Sequence, residues 1–87
     1  MDEEVLTNEI FTIIERYSFD KIMWERRSVD SRIIEDLGIN SARIVDIIID
    51  VEERFDIEVD DQAIESIYTI NDLLRILKSK LPAPSKN

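Results

Sequence analysis

Leu37-Gly38-Ile39-Asn40-Ser41 runs directly into Ala42-Arg43-Ile44-Val45-Asp46-Ile47-Ile48-Ile49-Asp50-Val51-Glu52-Glu53-Arg54-Phe55, and the reading of this stretch decides the fold. At about 100° per residue, Ile44, Ile47, Ile48, Val51 and Phe55 form one stripe, with Arg43, Asp46, Asp50, Glu53 and Arg54 opposite. This is an amphipathic helix that packs on a core by one face. Between the two faces lies a narrower apolar line, Ala42, Val45 and Ile49, spaced i, i+3, i+7. Partial exposure is expected for it, and two readings stay open: a docking seam for a partner, or packing beneath the preceding connection. Gly38 supplies the turn, and Ser41 stands at the mouth of the helix. With no other evident reactive group in the chain, that placement suits a serine that is modified rather than one that catalyses. Taken on spacing alone, Ser41 also reads as an ordinary helix N-cap.

The flanks are helical as well. From Glu3 to Tyr17, Leu6, Ile10, Ile13, Ile14 and Tyr17 recur at helical spacing, while Glu9, Glu15 and Arg16 mostly face away. No single period runs through residues 18–40. A long loop with one short helical turn is expected there, with Phe19, Ile22, Met23, Trp24, Ile33, Ile34 and Leu37 as candidate anchors; loops of this length are usually functional or hide structure. Trp24 reads as a buried anchor and Arg26-Arg27 as a solvated pair. After Phe55, Asp56-Ile57-Glu58-Val59-Asp60-Asp61 alternates polar and apolar. A calcium loop is not supported, because Asp61 stands where its glycine belongs and Ile67 where its bidentate glutamate belongs. Asp61 is expected to cap a short helix through Ser66. Thr69 to Asn71 opens the last helix, which buries Ile70, Leu73, Leu74, Ile76 and Leu77 and stops at Pro82 and Pro84. The expected organisation is one all-α domain over residues 1–81 and a disordered tail over 82–87.

Composition bounds the function. Eighty-seven residues make one domain with a modest core, since chains this short bury only roughly 60% of their unfolded surface. The sequence has no cysteine and no histidine, which excludes disulfides, thiolate metal sites and the commonest acid–base catalyst. There is no Gly-rich phosphate loop, and the acids sit on a solvated face, so an enzyme has little support. No apolar run approaches the roughly 20 residues of a membrane span, and Met1-Asp2-Glu3-Glu4 does not resemble a signal peptide. A soluble, cytoplasmic protein without a membrane partner is expected. The net charge is −9, and its location is informative. Residues 35–65 hold eleven acids and only Arg43 and Arg54 as bases, so this segment carries the whole imbalance and the remainder is neutral. Such a field repels nucleic acid and attracts basic protein surfaces.

From Ile33 to Leu77 the chain resembles an acyl carrier protein. The resemblance rests on Glu35-Asp36-Leu37-Gly38-Ile39-Asn40-Ser41, the acidic helix ending Glu52-Glu53-Arg54-Phe55, then Ile57-Glu58-Val59 and the short helix before Ile67. It implies a small four-helix bundle with a long loop between helices 1 and 2. It also implies a 4′-phosphopantetheine arm on Ser41, flanked by Gly38 and Asn40, which a phosphopantetheinyl transferase delivers from coenzyme A while supplying the magnesium and the base. The arm's thiol would hold acyl groups as thioesters, and the protein would be a monomeric substrate with no metal site and no catalytic residue. Ala42, Arg43, Val45, Asp46, Ile49, Asp50 and Glu53 would form the docking face, its acids meeting basic surfaces on the transferase and on acyl-transferring or acyl-activating enzymes. A phosphodiester on Ser41 would lie at the positive end of the second helix, which favours an anion.

Three residues depart from the family pattern. Asn40 stands where aspartate is usual, Ala42 where leucine is usual, and Arg43 where acids or neutral residues are commoner. These changes point to a specialised carrier for a dedicated lipid, polyketide, peptide-like or amino-acyl pathway; a housekeeping carrier of fatty acid biosynthesis is the other reading. Asn40 also keeps open a different class of function, an unmodified helical interaction module that retains the carrier fold.

Overall fold

The computed structural model describes residues 2–81, and the tail expected at 82–87 lies outside the described residues. Among the described residues the chain is all helical: α1 (Glu3–Glu15), α2 (Lys21–Glu25), a 3-10 turn (Ser41–Arg43), α3 (Ile44–Phe55), α4 (Asp61–Glu65) and α5 (Ile70–Lys80). Helices α1, α3, α4 and α5 are the four expected, and α2 is the short turn expected inside the long connection. None of them is long and apolar enough to cross a membrane.

Helix α1 packs against α3 and α5, and α3 also packs against α4. Leu6, Ile10, Ile13 and Ile14 of α1, Ile47, Ile48, Val51 and Phe55 of α3, and Ile70, Leu73, Leu74 and Leu77 of α5 meet in one core. These are the stripes that the periodicity predicts, apart from Tyr17, which lies past the end of α1, Ile44 and Ile76, all three half-buried. Terminal charges and caps favour the helix ends. Glu3 and Glu4 lie at the positive end of α1. At α5, Thr69 Oγ1 accepts the Asp72 N–H while the Asp72 carboxylate accepts the Thr69 N–H, a reciprocal capping box. Leu81 is extended (φ −82°, ψ 151°), the conformation forced on a residue that precedes proline.

Two expectations are corrected here. The cap of α4 is Asp60, whose carboxylate accepts the Ala63 N–H at 2.8 Å, and Asp61 is the first helical residue. The register is set upstream, where buried Val59 donates its N–H to Glu52 Oε2 at 2.8 Å and leaves Asp60 extended, ready to cap. The anchors of the connection are also fewer than expected. Trp24, Ile33 and Leu37 are buried, whereas Phe19, Ile22 and Ile34 are 90%, 67% and 44% exposed. A five-residue helix has only one inward face, and Trp24 takes it; Ile34 adjoins buried Ile33 and points the other way. The missing anchor is Ile39, 1% exposed, which has no periodic neighbour to reveal it.

The long connection is fastened at both ends. Trp24 meets Phe11 edge to face, with ring centroids 6.0 Å apart. The Arg27 guanidinium lies 4.9 Å from the Trp24 ring and 5.2 Å from that of Phe11, so of the expected solvated pair only Arg26 remains simply exposed. Farther along, Ile33 donates its N–H to the Tyr68 carbonyl, and the N–H groups of Ile70 and Asn71 reach the carbonyls of Ser31 and Val29. The loop thereby satisfies donors that the start of α5 leaves unpaired.

Candidate functional site

The turn that presents Ser41 is built from three locked residues. Asp36 folds back on Arg32, its carboxylate accepting the Arg32 N–H at 2.8 Å and two guanidinium N–H groups at 3.1 and 3.0 Å. The Arg32 side chain and then its backbone N–H hold the Asp36 carboxyl below the usual carboxylate range. Gly38 follows in a left-handed conformation (φ +70°) and donates its N–H to the Ile34 carbonyl. A Cβ there would lie 2.9 Å from Met23 Sδ, a flexible side-chain end that would have to shift, so it is chiefly the backbone that demands glycine. Ile39 then buries its side chain and fixes the entry to the helix.

Asn40, rather than Ser41, is the cap. Its Oδ1 accepts the Ala42 N–H at 2.8 Å, and its carbonyl accepts the Arg43 N–H at 2.8 Å. The ordinary N-cap reading of Ser41 therefore does not hold. Ser41 is the exposed first residue of the 3-10 turn, and its hydroxyl is not spent on capping.

Along α3 the apolar line stays uncovered. Ala42 is exposed, and Val45 and Ile49 are 53% and 45% exposed, so this line does not pack beneath the connection. Its acidic border is less negative than the sequence suggests. The Arg43 guanidinium donates to Asp46 Oδ2 at 2.7 Å. Asp50 accepts the Tyr17 hydroxyl and lies 3.8 Å from the Arg16 guanidinium. That hydrogen bond, then burial, then the charges of Asp50 and Asp46 raise the Tyr17 pKa above its ordinary value. Glu53 is exposed and enters no ion pair among the described residues. Arg54, expected on the solvated face, grips Glu9 of α1 with two bonds of 2.9 and 2.7 Å.

Of the residues singled out from the sequence, Gly38, Asn40, Ser41, Ala42 and Arg43 at the turn and Val45, Ile49 and Glu53 on α3 are exposed, while Asp46 and Asp50 are half-buried. Sequence reading missed Tyr17 as the partner of Asp50 and Glu9 as the partner of Arg54. Both pairs span more than thirty positions, and no local spacing encodes them.

Residues 23–77, well over half of the chain, match the family model described as "Phosphopantetheine attachment site". The acyl carrier protein of Thermotoga maritima is 32% identical over 75 residues, which cover 84% of this chain and 93% of the relative. The acyl carrier protein of a Sulfurovum species is 38% identical over 50 residues, covering 58% of this chain and 67% of the relative.

Proposed function

Because this chain belongs to the acyl carrier protein family, whose members carry acyl groups on covalent 4′-phosphopantetheine and are not themselves enzymes, we propose that Ser41 holds the arm. One observation carries the assignment: Asn40 does the capping, which leaves the exposed Ser41 hydroxyl available at the head of a helical run that continues to Phe55. The arm supplies a thiol for thioester formation, and the residues around it hold and present it. A phosphodiester at Ser41 suits the positive end of that run. Gly38 and Asn40 hold the turn in the shape that displays it.

Docking is assigned to Ala42, Arg43, Val45, Asp46, Ile49, Asp50 and Glu53. The transferase and the acyl-handling enzymes would meet this face with basic, partly apolar surfaces. Exposed ion pairs are each worth about 1 kcal/mol or less, which suits a monomeric cytoplasmic carrier that docks and leaves repeatedly. A specialised pathway is the finer reading. Asn40 lacks the usual charge, Ala42 offers a smaller apolar contact, Arg43 neutralises Asp46, and Tyr17 engages Asp50. General fatty-acid enzymes would find less to grip here than on an ordinary carrier.

The test is intact mass after incubation with coenzyme A, magnesium and a broad-specificity transferase, beside Ser41→Ala. One phosphopantetheine is expected on the native chain and none on the variant. Modification of the variant would move the arm elsewhere, and an unmodified mass for protein taken from its own cells would favour the interaction module. Equal use of this carrier and an ordinary one by a general fatty-acid ketosynthase would refute the specialised pathway.

A further inference from the structure

We infer that Arg43 is a phosphate ligand held in reserve by Asp46: once Ser41 carries its phosphodiester, the Arg43 guanidinium leaves the Asp46 carboxylate for the phosphate, and the freed carboxylate joins the docking face. The inference rests on the assignment of the arm to Ser41. It names the residue that receives the phosphate and a charge that differs between the unmodified and modified forms.

Availability is the first argument. Arg43 is the sole base between residues 33 and 53. Of the two nearest arginines in sequence, Arg32 is committed to Asp36 by two side-chain bonds and Arg54 to Glu9 by two more. Arg43 makes a single bond, from one guanidinium nitrogen to Asp46 Oδ2, and both side chains are about half exposed, at 56% and 40%. An exposed single-point ion pair exchanges partners easily.

Position is the second. Ser41 and Arg43 share one three-residue 3-10 turn, in which two residues are separated by about 4 Å of rise. A fully extended arginine spans more than that rise, and because residues two apart lie on different sides of the turn, the exposed guanidinium swings around it to meet the phosphate.

Chemistry is the third. A phosphodiester is anionic at every pH at which the protein is folded, and its oxygens accept the planar guanidinium fork at two points. Asp46 offers only the one-point contact. Asn40 brings no competing negative charge beside Ser41, whereas an aspartate there would repel the phosphate. The same exchange leaves Asp46 unpaired beside exposed Val45, one helical turn from exposed Ile49 and two from exposed Glu53. The acidic, partly apolar face is therefore complete only after the arm is attached. An acyl-handling enzyme with a basic rim would distinguish modified from unmodified carrier by this charge, in addition to any grip on the arm.

The test uses the full chain labelled with nitrogen-15, before and after transferase treatment, with the mass of each sample recorded. The arginine Nε–Hε resonance of Arg43 is identified by its loss in Arg43→Gln. It should shift on modification and its Hε should exchange more slowly with solvent. The phosphorus resonance of the arm should differ between native chain and Arg43→Gln, and should be unchanged in Asp46→Asn. A mass gain of one phosphopantetheine with the Arg43 resonance unmoved overturns the exchange and leaves the Ser41 assignment standing. No mass gain, in a mixture that modifies an authentic carrier, together with an unmodified mass for the protein taken from its own cells, overturns both. Arg43 and Asp46 are solvent-facing, and retained helical circular dichroism would show that neither variant acts through unfolding.

Discussion

Replacing Gly38 by alanine should destabilise the protein by about 2 kcal/mol, the sum of two separable costs. A non-glycine residue held at φ +70° gives up about 1–2 kcal/mol relative to glycine. The added Cβ would also stand 2.9 Å from Met23 Sδ and 3.7 Å from Met23 Cε. Met23 is half-buried, and displacing its thioether from a preferred rotamer costs about 0.5–1.5 kcal/mol. For a domain of this size a loss of 1 kcal/mol lowers Tm by roughly 4–8 °C. Thermal unfolding followed by far-ultraviolet circular dichroism should thus show a drop of about 8–16 °C. Gly38→Asn divides the sum, since asparagine tolerates the left-handed region but still places a Cβ against Met23; it should lose about half as much. A Gly38→Ala protein melting within about 2 °C of the native chain would refute the argument outright. Equal losses for alanine and asparagine would assign the whole effect to the Met23 contact.

Asn40→Ala removes the cap of the turn and should cost about 1 kcal/mol by urea unfolding. Asn40→Asp keeps the cap and should speed modification by a general transferase, measured as the rate of mass gain; an unchanged rate would show that the missing charge does not matter. Tyr17→Phe deletes the hydrogen bond to Asp50 and should cost about 1–2 kcal/mol, read as a lower urea midpoint at constant m. Burial, the largest single influence on Asp72, raises its pKa, but hydrogen bonds from the Thr69 and Tyr68 N–H groups, Arg75 and the Thr69 hydroxyl outweigh it, and its carboxyl sits below the ordinary 3.8. Its stabilisation is therefore complete above that value and is lost as pH falls through the lower folded value. Asp72→Asn should be less stable than the native chain at neutral pH, with the gap closing below 3.8; a constant gap across that range would contradict this. Ile10→Ala, fully buried between helices, should lose about 2–5 kcal/mol, enough to unfold much of the population at physiological temperature.

The sequence alone was sufficient for the helices whose apolar residues repeat. Ile47, Ile48, Val51 and Phe55, and Leu73, Leu74 and Leu77, are buried as their spacing predicts, because a helical stripe has one way to leave water. The geometry of the candidate site was legible in the same manner. Gly38 marks a turn that only glycine accepts without strain, and Val45 and Ile49 fall off the buried stripe by simple angle counting. The long connection was not legible. Whether Trp24 or Ile22 turns inward, and that Ile39 is a core residue while Phe19 is not, depends on which surface each meets across the bundle. The cap assignments differed for a related reason. Asn40 against Ser41 and Asp60 against Asp61 are adjacent, chemically able alternatives, and backbone direction fixed elsewhere selects between them. What the sequence by itself determined was an all-α fold with a serine at a helix mouth and acids clustered beside it, since composition and short-range period carry that information; the carrier role came from the family resemblance. What only the tertiary structure decided was how much of that acidity is displayed. Tyr17 and Arg16 reach Asp50, and Glu9 reaches Arg54, across packed helices. Arg43 neutralises Asp46 within a single turn. Charge balance on a surface is set by which side chains the fold brings together.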